Sequence, residues 1–297
     1  MKTTFLELSE EFCDKEKSRF HIVPVPYEGT VCFASGTVHG PEAILNVSDQ
    51  IEHFDEETFC EFYRAGIYTH STIEPATTPE LEMEKIEDYI DRNQLFRPDR
   101  FPIFLGGEHS ISAPIVRQAI RRYPDLSVLQ FDAHSDLRNT FSPGGKFSHA
   151  CVMRRILETN AELVQVGIRS FSQADLIECP KQVDHFITPA KLEDNWAGSL
   201  QSILDRLTQN VYITFDMDAL DLSIAPGVGT PEPGGLSWRQ TNQILREVCC
   251  SKNIIGADVV ETLPQPHSNI TEFTAVRLIA KMMTWTTQKA NFRQSSR

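Results

Sequence analysis

Apolar positions gather into six short runs along the chain: Phe20 to Val25, Phe101 to Leu105, Leu126 to Phe131, Leu163 to Val166, Val211 to Phe215 and Ile254 to Val260. Each is rich in β-branched or aromatic residues and is followed by a stretch of helical spacing. A strand with one wet face alternates apolar and polar residues, whereas these runs are nearly continuous, as strands covered on both faces are. The pattern predicts an α/β fold, a parallel sheet with helices on both faces.

Pro79 to Asn93 reads as a helix capped by Thr78, with Leu81, Ile86 and Ile90 spaced for a buried stripe. Further helices are expected over Ile111 to Tyr123, Ala150 to Glu158, Trp196 to Gln209, Ser237 to Cys250 and Thr271 to Thr284. No internal repeat, low-complexity tract or long Gly/Ser/Pro linker divides the chain, so residues 1–297 are read as one domain. Two loops follow carboxylate-bearing strand ends, where an open α/β sheet builds its site. Arg138 to Ser148 contains Pro143-Gly144-Gly145, and Pro226 to Gly235 holds three prolines and four glycines.

Composition narrows the classes of partner. The net charge of −13 disfavours non-specific binding to nucleic acid and favours small cations. No apolar run approaches the roughly 18 residues of a membrane helix, and the opening segment carries Glu7, Glu10 and Glu11, unlike a secretory leader. A cytoplasmic location away from membranes is expected. The seven cysteines lack a CxxC pair, which fits reduced thiols.

Candidate chemistry concentrates at strand ends. Leu126 to Phe131 runs into Asp132-Ala133-His134-Ser135-Asp136, where extended backbone would turn all three alternate donors the same way. Val211 to Phe215 runs into Asp216-Met217-Asp218, with Asp221 beyond. Phe101 to Leu105 runs into Gly106-Gly107-Glu108-His109-Ser110, where the glycines allow a tight turn and close backbone approach. His109, Asp132, His134, Asp136, Asp216 and Asp218 are too many ligands for one zinc ion and suit two divalent ions bridged by carboxylates. Mixed carboxylate and imidazole donors favour Mn(II), while admitting Zn(II), Ni(II) or Fe(II). A pair of ions about 3.5–4 Å apart would lower the pKa of a shared water, so metal-assisted hydrolysis is the expected reaction class.

These motifs resemble those of the ureohydrolases, the arginase and agmatinase family. The resemblance rests on Gly106 to His109, Asp132 to Asp136, Asp216 to Asp221 and Pro226 to Gly235, joined by Gly36 to Ile44, which looks like the family's N-terminal loop, and it extends over most of residues 20 to 285. It implies a three-layer α/β/α fold and two Mn(II) ions. His109 and Asp136 would hold one ion, His134 and Asp218 the other, and Asp132 and Asp216 would bridge them. It further implies that His149 carries a proton and that Glu261 grips a guanidinium; in the mechanism expected for such a site, Asp136 orients the attacking oxygen by hydrogen bonding. Family members are commonly trimers or hexamers, so a homo-oligomer is expected.

The resemblance also bears on substrate. Arginases carry an asparagine two residues after the last aspartate of the metal motif and a serine four before the loop histidine, to bind the α-carboxylate; here those positions are Arg138 and Gly145. Ser148 to Ile156 looks like agmatinases, which implies agmatine plus water giving putrescine and urea, a step of polyamine biosynthesis. Aminopropylagmatine ureohydrolases look similar. Arg138-Asn139-Thr140 departs from the more acidic loop of agmatinases and makes guanidinobutyrate a rival. A dinuclear phosphoesterase is less favoured, because only Arg138 and Lys146 near the ligand segments could clamp phosphate. A non-catalytic binding module would be expected to have lost ligands, and all six are present.

Overall fold

The computed structural model describes residues 4–295. Nine strands appear in chain order: β1 (Phe20–Val25), β2 (Phe54–Asp55), β3 (Cys60–Glu61), β4 (Ile67–Thr69), β5 (Phe101–Gly106), β6 (Leu126–Phe131), β7 (Glu162–Val166), β8 (Asn210–Asp216) and β9 (Asn253–Val260). Seven form one sheet in the order β4-β1-β5-β9-β8-β6-β7. Every pairing in it is parallel. β2 and β3 make a separate antiparallel hairpin.

The helices are α1 (Gly40–Val47), α2 (Pro79–Asn93), α3 (Ser112–Arg122), α4 (Val152–Leu157), α5 (Gln173–Glu178), α6 (Pro180–Asp184), α7 (Pro189–Asp194), α8 (Trp196–Arg206), α9 (Trp238–Ser251) and α10 (Ile270–Ser295). Successive strand side chains point to opposite faces, and this alternation divides the core in two. Phe20, Ile22, Ile103, Leu129 and Phe131 pack with α1, α8, α9 and α10. Val23, Val25, Phe104, Leu126 and Val128 pack with α2, α3 and α4. The result is a three-layer α/β/α arrangement.

The six predicted strands are all present. Several helical expectations are corrected. Leu81 is half-exposed, and the buried stripe of α2 is Met83, Ile86 and Ile90. At 100° per residue Leu81 lies opposite Ile90 on the helical wheel, so the two cannot share a face. The predicted helix from Ala150 is a short 3₁₀ turn, His149–Cys151, leading into α4. Residues 40–44, expected as loop, form the first turns of α1, where Pro41 occupies the tolerated N-terminal position.

Candidate metal centre

The sheet order makes neighbours of β5, β9, β8 and β6, and their C-terminal tips deliver His109, Glu261, Asp216 and Asp132 to one place. The β5 tip depends on Gly107. A Cβ there would stand 2.1 Å from the Tyr27 carbonyl oxygen, so only glycine lets the chain turn toward His109. The segment after β6 is not extended throughout, as the alternate-donor pattern suggested. Asp136 adopts a left-handed φ of 52°, and Glu261 one of 62°. Such backbone is unusual for non-glycine residues and clusters at functional sites.

Two groups of potential ligands converge, His109 with Asp132 and Asp136, and His134 with Asp132 and Asp218. His109 Nδ1 lies 3.0 Å from Asp132 Oδ2, 3.2 Å from Asp136 Oδ2 and 3.4 Å from Asp216 Oδ2. His134 Nδ1 lies 2.9 Å from Asp218 Oδ2 and 3.6 Å from Asp132 Oδ1. Asp132 faces both groups through different oxygens. The six sequence candidates therefore meet in one cluster.

The other ring nitrogen of His109 shows what the cluster lacks. Nε2 is 2.8 Å from Thr214 Oγ1, whose own proton is donated to Asp258 Oδ1 at 2.7 Å. Nε2 is then a protonated nitrogen, and buried Nδ1, without a well-formed hydrogen bond, faces three carboxylate oxygens across which either a proton or a metal ion must sit. An unprotonated nitrogen facing anions would be repelled, so the site takes up a cation there, a proton or a metal ion. Imidazole and hard oxygen donors suit a divalent transition ion.

Electrostatics carry the same message. Against the cost of burial, Asp132, Asp136 and Asp216 hold His109 well above the usual imidazole range, and Asp218 with Asp132 pushes His134 up to about 12. Burial and the charge of Asp132 push Asp136 up to about 6. Burial, Asp218 and Asp132 hold Asp216 far above the carboxylate range, while His109 and His134 overcome burial to hold Asp132 below it. Without another cation the cluster draws protons, and divalent ions would displace them.

Glu261 is buried, and burial with neighbouring Glu108 holds its carboxyl far above the usual range. Its Oε1 accepts the His109 backbone N–H at 2.8 Å, so one oxygen is engaged before a ligand arrives. His109, His134, Asp136, Asp216, Glu261 and His149 share the wall of a cavity of about 220 Å³. Burial pushes His149 down to about 4, so its imidazole is neutral at pH 7. Arg138 also lines this cavity, its guanidinium 4.9 Å from the centre of the Phe141 ring. Asp221 stands apart from both ligand groups and caps a turn through Ser223 N and Oγ.

Sequence reading passed over several residues here. Thr214 looks like an ordinary strand threonine, but Asp258 interrupts an otherwise apolar run and was a usable signal. Glu108 is buried between Thr30 and Ser110, and burial pushes it up to about 7 against their hydrogen bonds. Asp175, a residue of the cavity wall, closes the capping box of α5 with Ser172, and its Oδ1 is buried without a hydrogen-bond partner. Arg169 clasps the Pro226–Gly235 loop by donating to the carbonyls of Glu232 and Pro233.

Fold and site together define an α/β protein with a buried metal-binding centre at the strand tips. The family whose model matches is the arginase family, over residues 18–284, and the chain belongs to it. It is 37% identical over 289 residues to the N(1)-aminopropylagmatine ureohydrolase of Synechocystis sp., covering 94% of this chain and 92% of that protein. It is 31% identical over 265 residues to the agmatinase of Bacillus subtilis, covering 87% and 89%. Among solved structures, the agmatine ureohydrolase of Thermoplasma volcanium superposes with a TM-score of 0.84 at 26% identity, covering 98% of this chain and 96% of that one.

Proposed function

We propose that the chain is a metal-dependent ureohydrolase acting on agmatine, yielding putrescine and urea. The observation that carries this reading is the placement of His109 Nδ1, with the ring oriented by Thr214 and Asp258 and Nδ1 surrounded by Asp132, Asp136 and Asp216. His109 and Asp136 would hold one Mn(II), His134 and Asp218 a second, with Asp132 and Asp216 shared. When bound, such a pair supplies Lewis acidity and a water acidic enough to act near neutral pH.

The chain's own groups perform the remaining work. Glu261 binds the guanidinium as a planar cation, using its second oxygen and the remaining lone pair of Oε1. Asp136 orients the incoming water oxygen toward the guanidinium carbon. His149 takes a proton from the attacking water and returns it to the departing amine as the carbon–nitrogen bond to the aliphatic tail breaks and urea leaves. Asp175, a residue of the cavity wall, is the anion for the distal ammonium of the tail.

The identity of the relatives supports a second reading, in which the tail is that of N(1)-aminopropylagmatine. Arg138 on the wall keeps the anionic tail of guanidinobutyrate as a third. Assembly into a trimer or hexamer belongs to the proposal. Ile270 and Phe273 are exposed apolar residues of α10, and Phe273 borders a hollow of about 270 Å³ with Ile224, Trp238, Thr274 and Arg277. Light scattering tests that assembly. Urea release with added Mn(II) from agmatine, aminopropylagmatine, arginine and guanidinobutyrate tests the activity. Agmatine should be turned over fastest; preference for arginine overturns the substrate, and no urea from any of them overturns the reaction class.

A further inference from the structure

Glu108 precedes His109 but belongs to neither ligand group. Its carboxylate is instead committed to Thr30, which lies 78 residues away in sequence and is fully buried. Thr30 donates its backbone N–H to Glu108 Oε2 at 2.7 Å and its hydroxyl to Oε1 at 2.7 Å. A threonine hydroxyl has one proton and two lone pairs, so Oγ1, having given its proton to Glu108, can only accept from elsewhere. What it meets is His149. The His149 backbone N–H donates to Oγ1 at 3.0 Å, and Nδ1 of the same ring lies 3.3 Å away. Ser148 Oγ, at 3.5 Å, is the more distant neighbour of Nδ1. On the far side of the ring, Nε2 lies 3.5 Å from Cys32 Sγ, and both residues line the cavity.

We propose that Thr30, clamped by Glu108, is a positioning residue that fixes His149 with its proton on Nδ1 and its Nε2 lone pair turned into the cavity. The inference rests on the reading of His149 as the proton-carrying group. Nε2 can take a proton from the water and return it to the leaving amine only while Nδ1 keeps its own proton and Nε2 faces the reacting atoms, and an imidazole free to change tautomer loses both conditions. Glu108 and Thr30 tie the β5 turn and the loop after β1 to the His149 segment. Phe141 holds the ring from another side, edge-on, with centroids 6.1 Å apart.

Steady-state urea release by the Mn(II)-loaded full chain, with agmatine or aminopropylagmatine, whichever is turned over faster, tests this. Thr30→Val keeps the side-chain shape and removes the hydroxyl. It should lower kcat roughly 10- to 100-fold, a part of the 10²–10⁴ that general acid–base catalysis supplies, with KM and bound metal changed by less than about twofold. Thr30→Ser, which restores the hydroxyl without the methyl, should bring kcat back to within about threefold of the native value. In a His149→Asn background, Thr30→Val should change kcat by less than about twofold, because the group it positions is gone. An equal loss in both backgrounds overturns the proposal, as does native kcat in Thr30→Val while His149→Asn is slow. Native kcat in His149→Asn overturns the proton-transfer role of His149 itself, and the positioning role with it.

Discussion

Two buried histidines on one sheet meet opposite surroundings. His109, past the tip of β5, turns Nδ1 toward three carboxylate oxygens and is held far above its usual range. His21, near the start of β1, has both nitrogens in ordinary contacts, Nδ1 with His70 Nε2 at 2.8 Å and Nε2 with the Ser18 carbonyl at 3.2 Å. Burial, with Arg100 and Lys15 outweighing Glu16 among the nearby charges, pushes His21 down to about 4. Burial and imidazole chemistry are common to both. What distinguishes the candidate ligand is a nitrogen that the fold aims at several anions at once, whereas a structural histidine is satisfied by neutral partners.

The contrast breaks first at the shared carboxylates. Asp132→Asn or Asp216→Asn should lower urea release by at least about 10³-fold, the scale of several kcal/mol of Lewis-acid stabilisation, with loss of bound metal by elemental analysis. Near-native turnover in either variant removes the account of His109 as a ligand.

The next effect concerns the structural histidine. The folded-state value of His21 lies below its unfolded value near 6.5, so the neutral ring contributes stability present above pH 6.5 and lost as pH falls toward 4. The loss should reach about 3 kcal/mol at the acid end, from about 1.4 kcal/mol for each pKa unit. Urea denaturation of the metal-free native protein and His21→Leu at pH 7 and pH 4.5 would reveal it as a shallower pH dependence in the variant. Parallel curves would show that His21 is no more titration-linked than a surface histidine.

A smaller change sharpens the ligand side. Thr214→Val frees the Nε2 proton of His109 and should weaken metal affinity roughly 10- to 100-fold, as loss of a group orienting a ligand does. Equilibrium dialysis against Mn(II) gives the number, and an unchanged affinity would mean that the Thr214–Asp258 pair does not set the tautomer. The smallest effect is expected at a position that sequence reading placed wrongly: Leu81→Gln should alter stability by no more than about 0.5 kcal/mol in thermal unfolding. Ile86→Ala on the buried face should cost about 2–5 kcal/mol.

The Leu81 error illustrates which features were legible in the chain. Strands buried on both faces leave long apolar runs, and all six such runs became strands. Ile67–Thr69 was too short to show any period, and the Gly40-Pro41 start of α1 fell within the stretch that looks like the family's N-terminal loop. The ligand set was readable because its residues sit at strand ends in compact motifs. Convergence was not readable in detail, since it depends on the β5-β9-β8-β6 order and on the left-handed backbone of Asp136 and Glu261. Thr214, Thr30 and Asp175 were hidden because their roles come from partners distant in sequence, though Glu108 and Asp258 were visible as carboxylates among apolar or glycine neighbours.

The central claim is that the orphaned nitrogen of His109 and its carboxylates belong to a two-ion centre. The most direct measurement is the number of Mn(II) ions bound per chain, read by equilibrium dialysis with electron paramagnetic resonance of the loaded protein. The account predicts two ions per chain in the native protein, magnetically coupled to each other, and loss of that coupled pair in Asp132→Asn. A native chain that holds no ion, or an Asp132→Asn chain that keeps the coupled pair at native affinity, would contradict it.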